Sequence, residues 1–349
     1  MPDFPAEIRA PAGTVAGVSG FQLAMAEQAI FTAGESLDVL VALNPAALKN
    51  SLQYLQEGGL LIINEDSMQL KDWEKAGCDP SILKDAAEHY DVLSLPLITQ
   101  TLRAVESLDM NHAHAKKAKN FYVLGLVLWL FDLKKDSSLA FIAKKFKANP
   151  VIAKANELSL LAGFNYAMTL ELTRRNYMLG HVSRESGEYR QITGVEAIAL
   201  AMATLAVTTK TPMLVSGYPI TPSSTILHEC AKLSEYGVQL LQAEDEIAAI
   251  CACIGAAFGG RLALTCTSGP GLDLKSESLG LAVVSELPLV LVDVQRAGAS
   301  TGLPTKTGQS DLRQALYGRH GEAPLPVLAP ATPADCFTTM IEAFCIAIK

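Results

Sequence analysis

Four short segments in the second half of the chain carry residue types able to do chemistry. The first is Gly217-Tyr218-Pro219-Ile220-Thr221-Pro222-Ser223-Ser224. Its prolines fix the backbone, and Thr221, Ser223 and Ser224 put hydroxyls ahead of a helical pattern, where a helix N-terminus attracts carboxylate or phosphate. A turn followed by an N-cap accounts for the same residues. The second is Glu244-Asp245-Glu246, directly before Ile247-Ala248-Ala249-Ile250. Adjacent carboxylates stabilise a helix start through its dipole, which is a sufficient structural reason for them. A carboxyl group at the edge of an apolar helix can also share a proton with a heterocyclic nitrogen. The third, Thr265-Cys266-Thr267-Ser268-Gly269-Pro270-Gly271, has glycines that let the backbone approach a ligand closely. No Gly-Lys-Ser/Thr triplet follows, so it is not a phosphate-binding P-loop, and a plain strand-to-helix turn explains it as well. The fourth runs from Asp293 to Thr307 and places Arg296 on a Gly/Ser/Thr-rich loop after an apolar run. An arginine there can hold a carboxylate bidentately; pairing with a neighbouring acid is the structural alternative.

Positioning these segments requires a scaffold, and the hydrophobic pattern supplies one. Asp38–Leu43 and Leu60–Asn64 are apolar runs short enough for buried parallel strands, and Leu93–Pro96 continues the series. Helical patterns cover Gln22–Thr32, Ala46–Leu55, Asn120–Phe131, Leu139–Phe146 and Asn156–Leu170. Further strands are expected at Met213–Ser216, Gln239–Gln242, Leu262–Thr265, Leu289–Val294 and Val327–Ala329. Helices are expected at Val195–Val207, Ser223–Leu233, Glu246–Phe258, Lys275–Val283 and Pro333–Lys349. The alternation predicts an α/β fold of two doubly wound domains, 1–175 and 193–349, joined by a polar linker at 176–192. All four chemical segments follow strands, at the carboxyl ends where open parallel sheets bind ligands.

Bulk properties narrow the function. Half of the 349 residues are hydrophobic and 18% are charged, a globular composition. A net charge of −8 without a long basic stripe argues against a nucleic-acid partner. The basic patches at Lys116–Lys119 and Lys144–Lys147 read as solvated helix faces. The apolar run Phe121–Phe131 falls short of the roughly 20 residues of a membrane span; it reads as buried, with Gly125 marking close packing. With no signal segment, a cytoplasmic protein is expected. None of the seven cysteines forms a C-x-x-C pair, and Cys251 and Cys253 point to different helix faces. No metal site on this chain is expected, and the cysteines read as buried small hydrophobes. No G-x-G-x-x-G follows an expected strand, which argues against a dinucleotide-dependent dehydrogenase.

The ordered motifs GYPITPSS, EDEIAAI, TSGPG and DVQRAGASTGLPTKT together resemble the α subunit of 2-oxoacid:ferredoxin oxidoreductases, in particular the 2-oxoglutarate type. Through FPAEIRAPAG, GVSGFQ and LNPAALK, the first domain resembles the γ domain that this family fuses upstream. The resemblance implies a pyrimidine-binding domain for thiamine diphosphate at 193–349. It implies that Glu246 hydrogen-bonds the aminopyrimidine as the catalytic acid, favouring the imino tautomer that removes the thiazolium proton. Tyr218, Pro219, Ile220, Thr267, Ser268 and Gly269 would line the cofactor, and Thr221 and Arg296 would contact the oxo-carboxylate of the substrate. The implied reaction is coenzyme A-dependent oxidative decarboxylation of 2-oxoglutarate to succinyl-CoA with electrons passed to ferredoxin, or its reversal. A β subunit would hold the diphosphate, Mg²⁺ and an iron–sulfur cluster, in an (αβ)2 assembly. A related 2-oxoacid (pyruvate, 2-oxoisovalerate or an aryl pyruvate) and a non-catalytic assembly module are the alternatives. The family pattern has a strand and Gly-rich loop before the first domain and continues past Lys349, so a fragment lacking both ends is expected. Asp273, Ala297, Ala299 and Gly308 depart from the usual small residue, Gly, Pro and acid at those positions.

Overall fold

The computed structural model describes residues 18–28, 30, 34–170 and 185–349, together with the short strand Pro2–Asp3. The chain forms two compact units, Glu7–Glu185 with Met1–Pro2 and Ser186–Lys349 with Asp3–Ala6.

The first unit is built on a parallel sheet of β1 (Leu37–Ala42), β2 (Leu55–Asn64) and β3 (Asp91–Leu95), with β2 in the centre. Side chains alternate across a strand, so β2 feeds two cores. Leu61 and Ile63 pack with Leu40, Leu48 and Trp73 on one face, while Leu60 and Ile62 pack with Leu97, Tyr122 and Leu126 on the other. Burial on both faces explains the unbroken apolar run. Helix α1 (Pro45–Ser51) starts where the Asn44 side chain accepts from the Ala47 N–H, with Pro45 in the first turn. The Phe121–Phe131 run is helix α2 (Lys119–Leu130), which crosses α3 (Pro150–Thr169) at two glycines. A Cβ on Gly125 would lie 2.1 Å from the Leu160 carbonyl oxygen, and one on Gly163 2.0 Å from that of Tyr122.

The second unit carries a parallel sheet of β4 (Met213–Gly217), β5 (Val238–Gln242), β6 (Leu262–Thr267) and β7 (Val290–Asp293), in spatial order β5-β4-β6-β7. Helix α4 (Gly194–Thr209) opens with a capping box: Thr193 and Glu196 satisfy each other's main-chain N–H groups. It packs with α5 (Ser224–Cys230) and α8 (Pro333–Ile348) on one face of the sheet. Helices α6 (Glu246–Phe258) and α7 (Ser276–Val284) cover the other through Ile250, Cys253, Ala257 and Leu279. Helices on both faces make this sheet doubly wound, as expected from the alternating pattern.

Three sequence expectations differ from the structure or lie beyond its described part. No helix forms in the described part of Gln22–Thr32. Its side chains are mostly exposed, and a short helix without a packing face does not hold in water. Val327–Ala329 joins no sheet, because Pro326 and Pro330 flank it and remove ladder donors. The linker expected at 176–192 falls partly outside the described residues; 185–193 is irregular.

Candidate cofactor and substrate site

In the second unit the chain leaves β4 for β5 on one side, then returns to place β6 on the other. The crevice beyond the carboxyl ends of β4 and β6 is therefore the switch point where an open sheet accepts a ligand. Tyr218, directly after β4, is buried, and its hydroxyl shares a 2.8 Å hydrogen bond with Thr267 Oγ1 at the end of β6. Burial pushes the Tyr218 phenol well above its ordinary range, and the neighbouring Glu246 carboxylate adds to this. A Cβ on Gly271 would lie 2.1 Å from both Tyr218 OH and Thr267 Oγ1, and 3.2 Å from Glu246 Cγ. Side chains from three separate segments of the chain thus converge on the space that Gly271 leaves open.

The acidic cluster divides its work. Asp245 is the N-cap of α6, and its carboxylate accepts from the Ala248 N–H at 2.8 Å. Glu244 is exposed, and half-buried Glu246 begins the helix beside Tyr218 and Thr267. Ser268 is buried, and its Oγ accepts from the Ser223 N–H at 3.2 Å, tying the loop after β6 to the start of α5. The Ser223 hydroxyl is itself buried without a partner among the described residues.

Arg296 is buried and reaches across to the loop after β4. Its Nη1 donates to the Thr221 main-chain oxygen at 2.6 Å, and Nη2 donates to the Thr301 main-chain oxygen. Nε is buried without an acceptor among the described residues. The structure therefore joins Thr221 and Arg296 through the Thr221 carbonyl, and the Thr221 side chain stays exposed. The peptide between Thr221 and Pro222 is cis. Gly269 has φ of +51°, and a Cβ there would lie 3.3 Å from Arg296 Cγ, so a glycine suits both the backbone and the arginine. Pro219 is exposed and Ile220 half-buried at the outer edge of the cluster.

Lys275, Asp293 and Asp311 also belong to this region, and sequence reasoning assigned them no role. Lys275 is fully buried; its Nζ donates to the Glu246 main-chain oxygen at 3.0 Å and to Thr265 Oγ1 at 2.9 Å. Leu272, Lys275 and Leu279 share one buried face at helical spacing, and a lysine on an apolar face is the signal that marks it. Asp293 ends β7 and Asp311 precedes a helical turn, Leu312–Tyr317, that it does not cap with its side chain. Asp293 Oδ1 and Asp311 Oδ2 are buried, and among the described residues neither has a hydrogen-bond partner. Burial, then the charge of Asp311, pushes Asp293 up to about 7; burial likewise raises Asp311, with exposed Asp273 adding to it.

Gly308 packs against the main chain of Ala297: a Cβ on Gly308 would lie 2.7 Å from Ala297 Cα and 2.9 Å from its Cβ, so there is no room for a side chain at 308. Ala299 is exposed, and nothing in the structure explains its choice. The cysteines correct the expectation of uniform burial: Cys251 and Cys345 are exposed. Cys230, Cys253 and Cys266 are buried, with thiols pushed by desolvation to about 12, 12 and 11. No helix among the described residues is long and apolar enough to cross a membrane.

Two family models match the chain in order. Residues 1–166 match pyruvate ferredoxin/flavodoxin oxidoreductase, and residues 206–349 match the thiamine-diphosphate-binding part of pyruvate flavodoxin/ferredoxin oxidoreductase. The 2-oxoglutarate oxidoreductase subunit KorA of Mycobacterium tuberculosis is 49% identical over 350 residues, spanning 100% of this chain and 54% of the relative. This chain belongs to the 2-oxoacid:ferredoxin oxidoreductase family. Within the family it also resembles the 2-oxoglutarate synthase subunit KorA of Archaeoglobus fulgidus, at 50% identity over 135 residues, 38% of this chain and 39% of that one. A solved structure of 2-oxoglutarate:ferredoxin oxidoreductase from Magnetococcus marinus, with 2-oxoglutarate, coenzyme A and succinyl-CoA bound, matches with a TM-score of 0.74 at 28% identity. That match covers 92% of this chain and 52% of the other. The chain spans about half the length of the relative that it matches along its whole length.

Proposed function

We propose that this chain is the α-type subunit of a 2-oxoacid:ferredoxin oxidoreductase, holding the aminopyrimidine end of thiamine diphosphate and the 2-oxoacid, with 2-oxoglutarate as substrate. The observation that carries this reading is the convergence of Tyr218, Thr267 and Glu246 around Gly271 at the switch point of a doubly wound sheet.

These residues fit an aminopyrimidine. Gly271 leaves a floor without a side chain, Tyr218 and Thr267 bring a hydrogen-bonded pair of hydroxyls to it, and Glu246 adds a half-buried carboxyl. When bound, thiamine diphosphate supplies the electron sink that decarboxylation of a 2-oxoacid requires. Glu246 would share a proton between its carboxyl and the pyrimidine ring, in a setting apolar enough for that bond to compete with water. Ser268 and Gly269 would line the cofactor's path. Arg296 would orient the oxo-carboxylate end of the substrate, and its buried, unpartnered Nε supports that role. Thr221 and Arg296, already joined, would act as one unit.

The balanced reaction converts 2-oxoglutarate, coenzyme A and two oxidised ferredoxins into succinyl-CoA, CO2, two reduced ferredoxins and one proton, or runs in reverse. A β subunit would contribute the diphosphate site, Mg²⁺ and the iron–sulfur cluster, in a cytoplasmic (αβ)2 assembly. The names of the relatives support 2-oxoglutarate over other 2-oxoacids. Co-expression with the β-type partner under anaerobic conditions tests the reading through coenzyme A-dependent reduction of a low-potential dye. Reduction with 2-oxoglutarate is expected. Reduction with pyruvate alone overturns the substrate, and a stable complex that reduces the dye with no 2-oxoacid overturns the function.

A further inference from the structure

Lys275 has no exposed surface, and among the described residues no carboxylate lies within ion-pair distance of it. A buried ammonium without a counter-ion is uncommon, because desolvating it is unfavourable and neutral acceptors return only part of that cost. Its hydrogen bonds end on the Glu246 main-chain oxygen at 3.0 Å and Thr265 Oγ1 at 2.9 Å. Its Nζ also lies 5.4 Å from the centre of the Tyr218 ring. One side chain therefore ties the first turn of α6, strand β6 and the segment after β4, the three elements that converge on Gly271.

We propose that Lys275 is a positioning residue for the cofactor site: its ammonium fixes the first turn of α6, and with it the Glu246 carboxyl, against Tyr218 and Thr265. The inference rests on the reading of Glu246 given above. A methionine of similar length would fill the same space without burying a charge, so packing alone does not account for lysine here. Desolvation pushes the amine down to about 8. Cys253, Cys266, Glu246 and Asp245 face it, and the two buried thiols, at about 12 and 11, are neutral at pH 7. The folded value lies below the ordinary 10.5, so the burial penalty is full below about pH 8 and fades as the pH rises towards 10.5.

The test uses the full chain in complex with its partner subunit and compares wild type, Lys275→Met and Glu246→Gln. Three quantities are measured: the unfolding temperature, hydrogen exchange at the Ile250 amide, whose helical acceptor is the Glu246 oxygen, and thiamine diphosphate affinity by calorimetry. Lys275→Met is expected to unfold at the same or a higher temperature at pH 7. Its Ile250 amide exchanges faster, and it binds the cofactor about 10-fold to 100-fold more weakly, the range for losing a charged hydrogen bond. Unchanged exchange at Ile250 overturns the proposal. So does a variant that fails to fold or whose unfolding temperature falls along with affinity, since that marks a purely structural lysine. If Glu246→Gln binds the cofactor like wild type while Lys275→Met still loosens the turn, the reading of Glu246 fails, and the purpose assigned to Lys275 fails with it.

Discussion

Replacing Gly271 by alanine reads out the central cluster directly. Gly271 has no positive φ, so the backbone accepts an alanine there. At an open position that exchange would stabilise by about 0.4–1 kcal/mol, by restricting the unfolded chain. Here the new methyl would sit 2.1 Å from Tyr218 OH and 2.1 Å from Thr267 Oγ1. Overpacking costs about 1–3 kcal/mol, and parting the two hydroxyls leaves a buried polar group unsatisfied, at about 1–3 kcal/mol more. The net expectation is a loss of about 3 kcal/mol with weakened cofactor binding. Both tryptophans, Trp73 and Trp129, belong to the first unit, so urea unfolding of the second is best followed by circular dichroism. Tyr218→Phe removes one of the two clashing atoms, so the double variant should lose less than the sum of the single ones. A Gly271→Ala chain as stable as wild type, or more so, would refute the convergence around Gly271.

Three further outcomes follow from the same geometry. Asp293, raised to about 7 from 3.8, contributes stability that is full below about pH 4 and lost as the pH rises through 7. Asp293→Asn should therefore gain on wild type in thermal melts at pH 8 relative to pH 5; parallel pH profiles would contradict the raised Asp293 carboxyl. Gly308→Ala should cost about 1–3 kcal/mol through its clash with Ala297, and Ala297→Gly in the same chain should recover little of that in a double-mutant cycle, because the Ala297 Cα at 2.7 Å and main-chain N at 3.1 Å stay in place. Gly163→Ala places a methyl 2.0 Å from the Tyr122 carbonyl and should part α2 from α3, seen as a lower unfolding midpoint by Trp129 fluorescence.

The strands and most helices were legible because their cause is local. Leu60–Asn64 is apolar at every position but its last since both faces of β2 are buried, and α6 begins at Glu246 because Asp245 caps it. Gln22–Thr32 has good helix formers but no surface to pack on, and packing is invisible to periodicity. Among the site residues, the sequence placed Tyr218, Thr267 and Glu246 at strand ends, and the β5-β4-β6-β7 order brings those ends together. The partners of Arg296 were not legible: the carboxylate-clamp reading did not anticipate main-chain carbonyls 75 and 5 residues away in sequence. Lys275 could have been found as a lysine on the apolar face of Leu272 and Leu279, but its partners, the Glu246 main chain and Thr265, were not legible, and Asp311 resembles an N-cap until Asp293 faces it.

The most direct test of the account is Glu246→Ala in the assembled complex, assayed by coenzyme A-dependent dye reduction with 2-oxoglutarate alongside a thermal melt. The account predicts loss of turnover with folding largely intact, because Asp245, and not Glu246, caps α6. Full activity in that variant would contradict it.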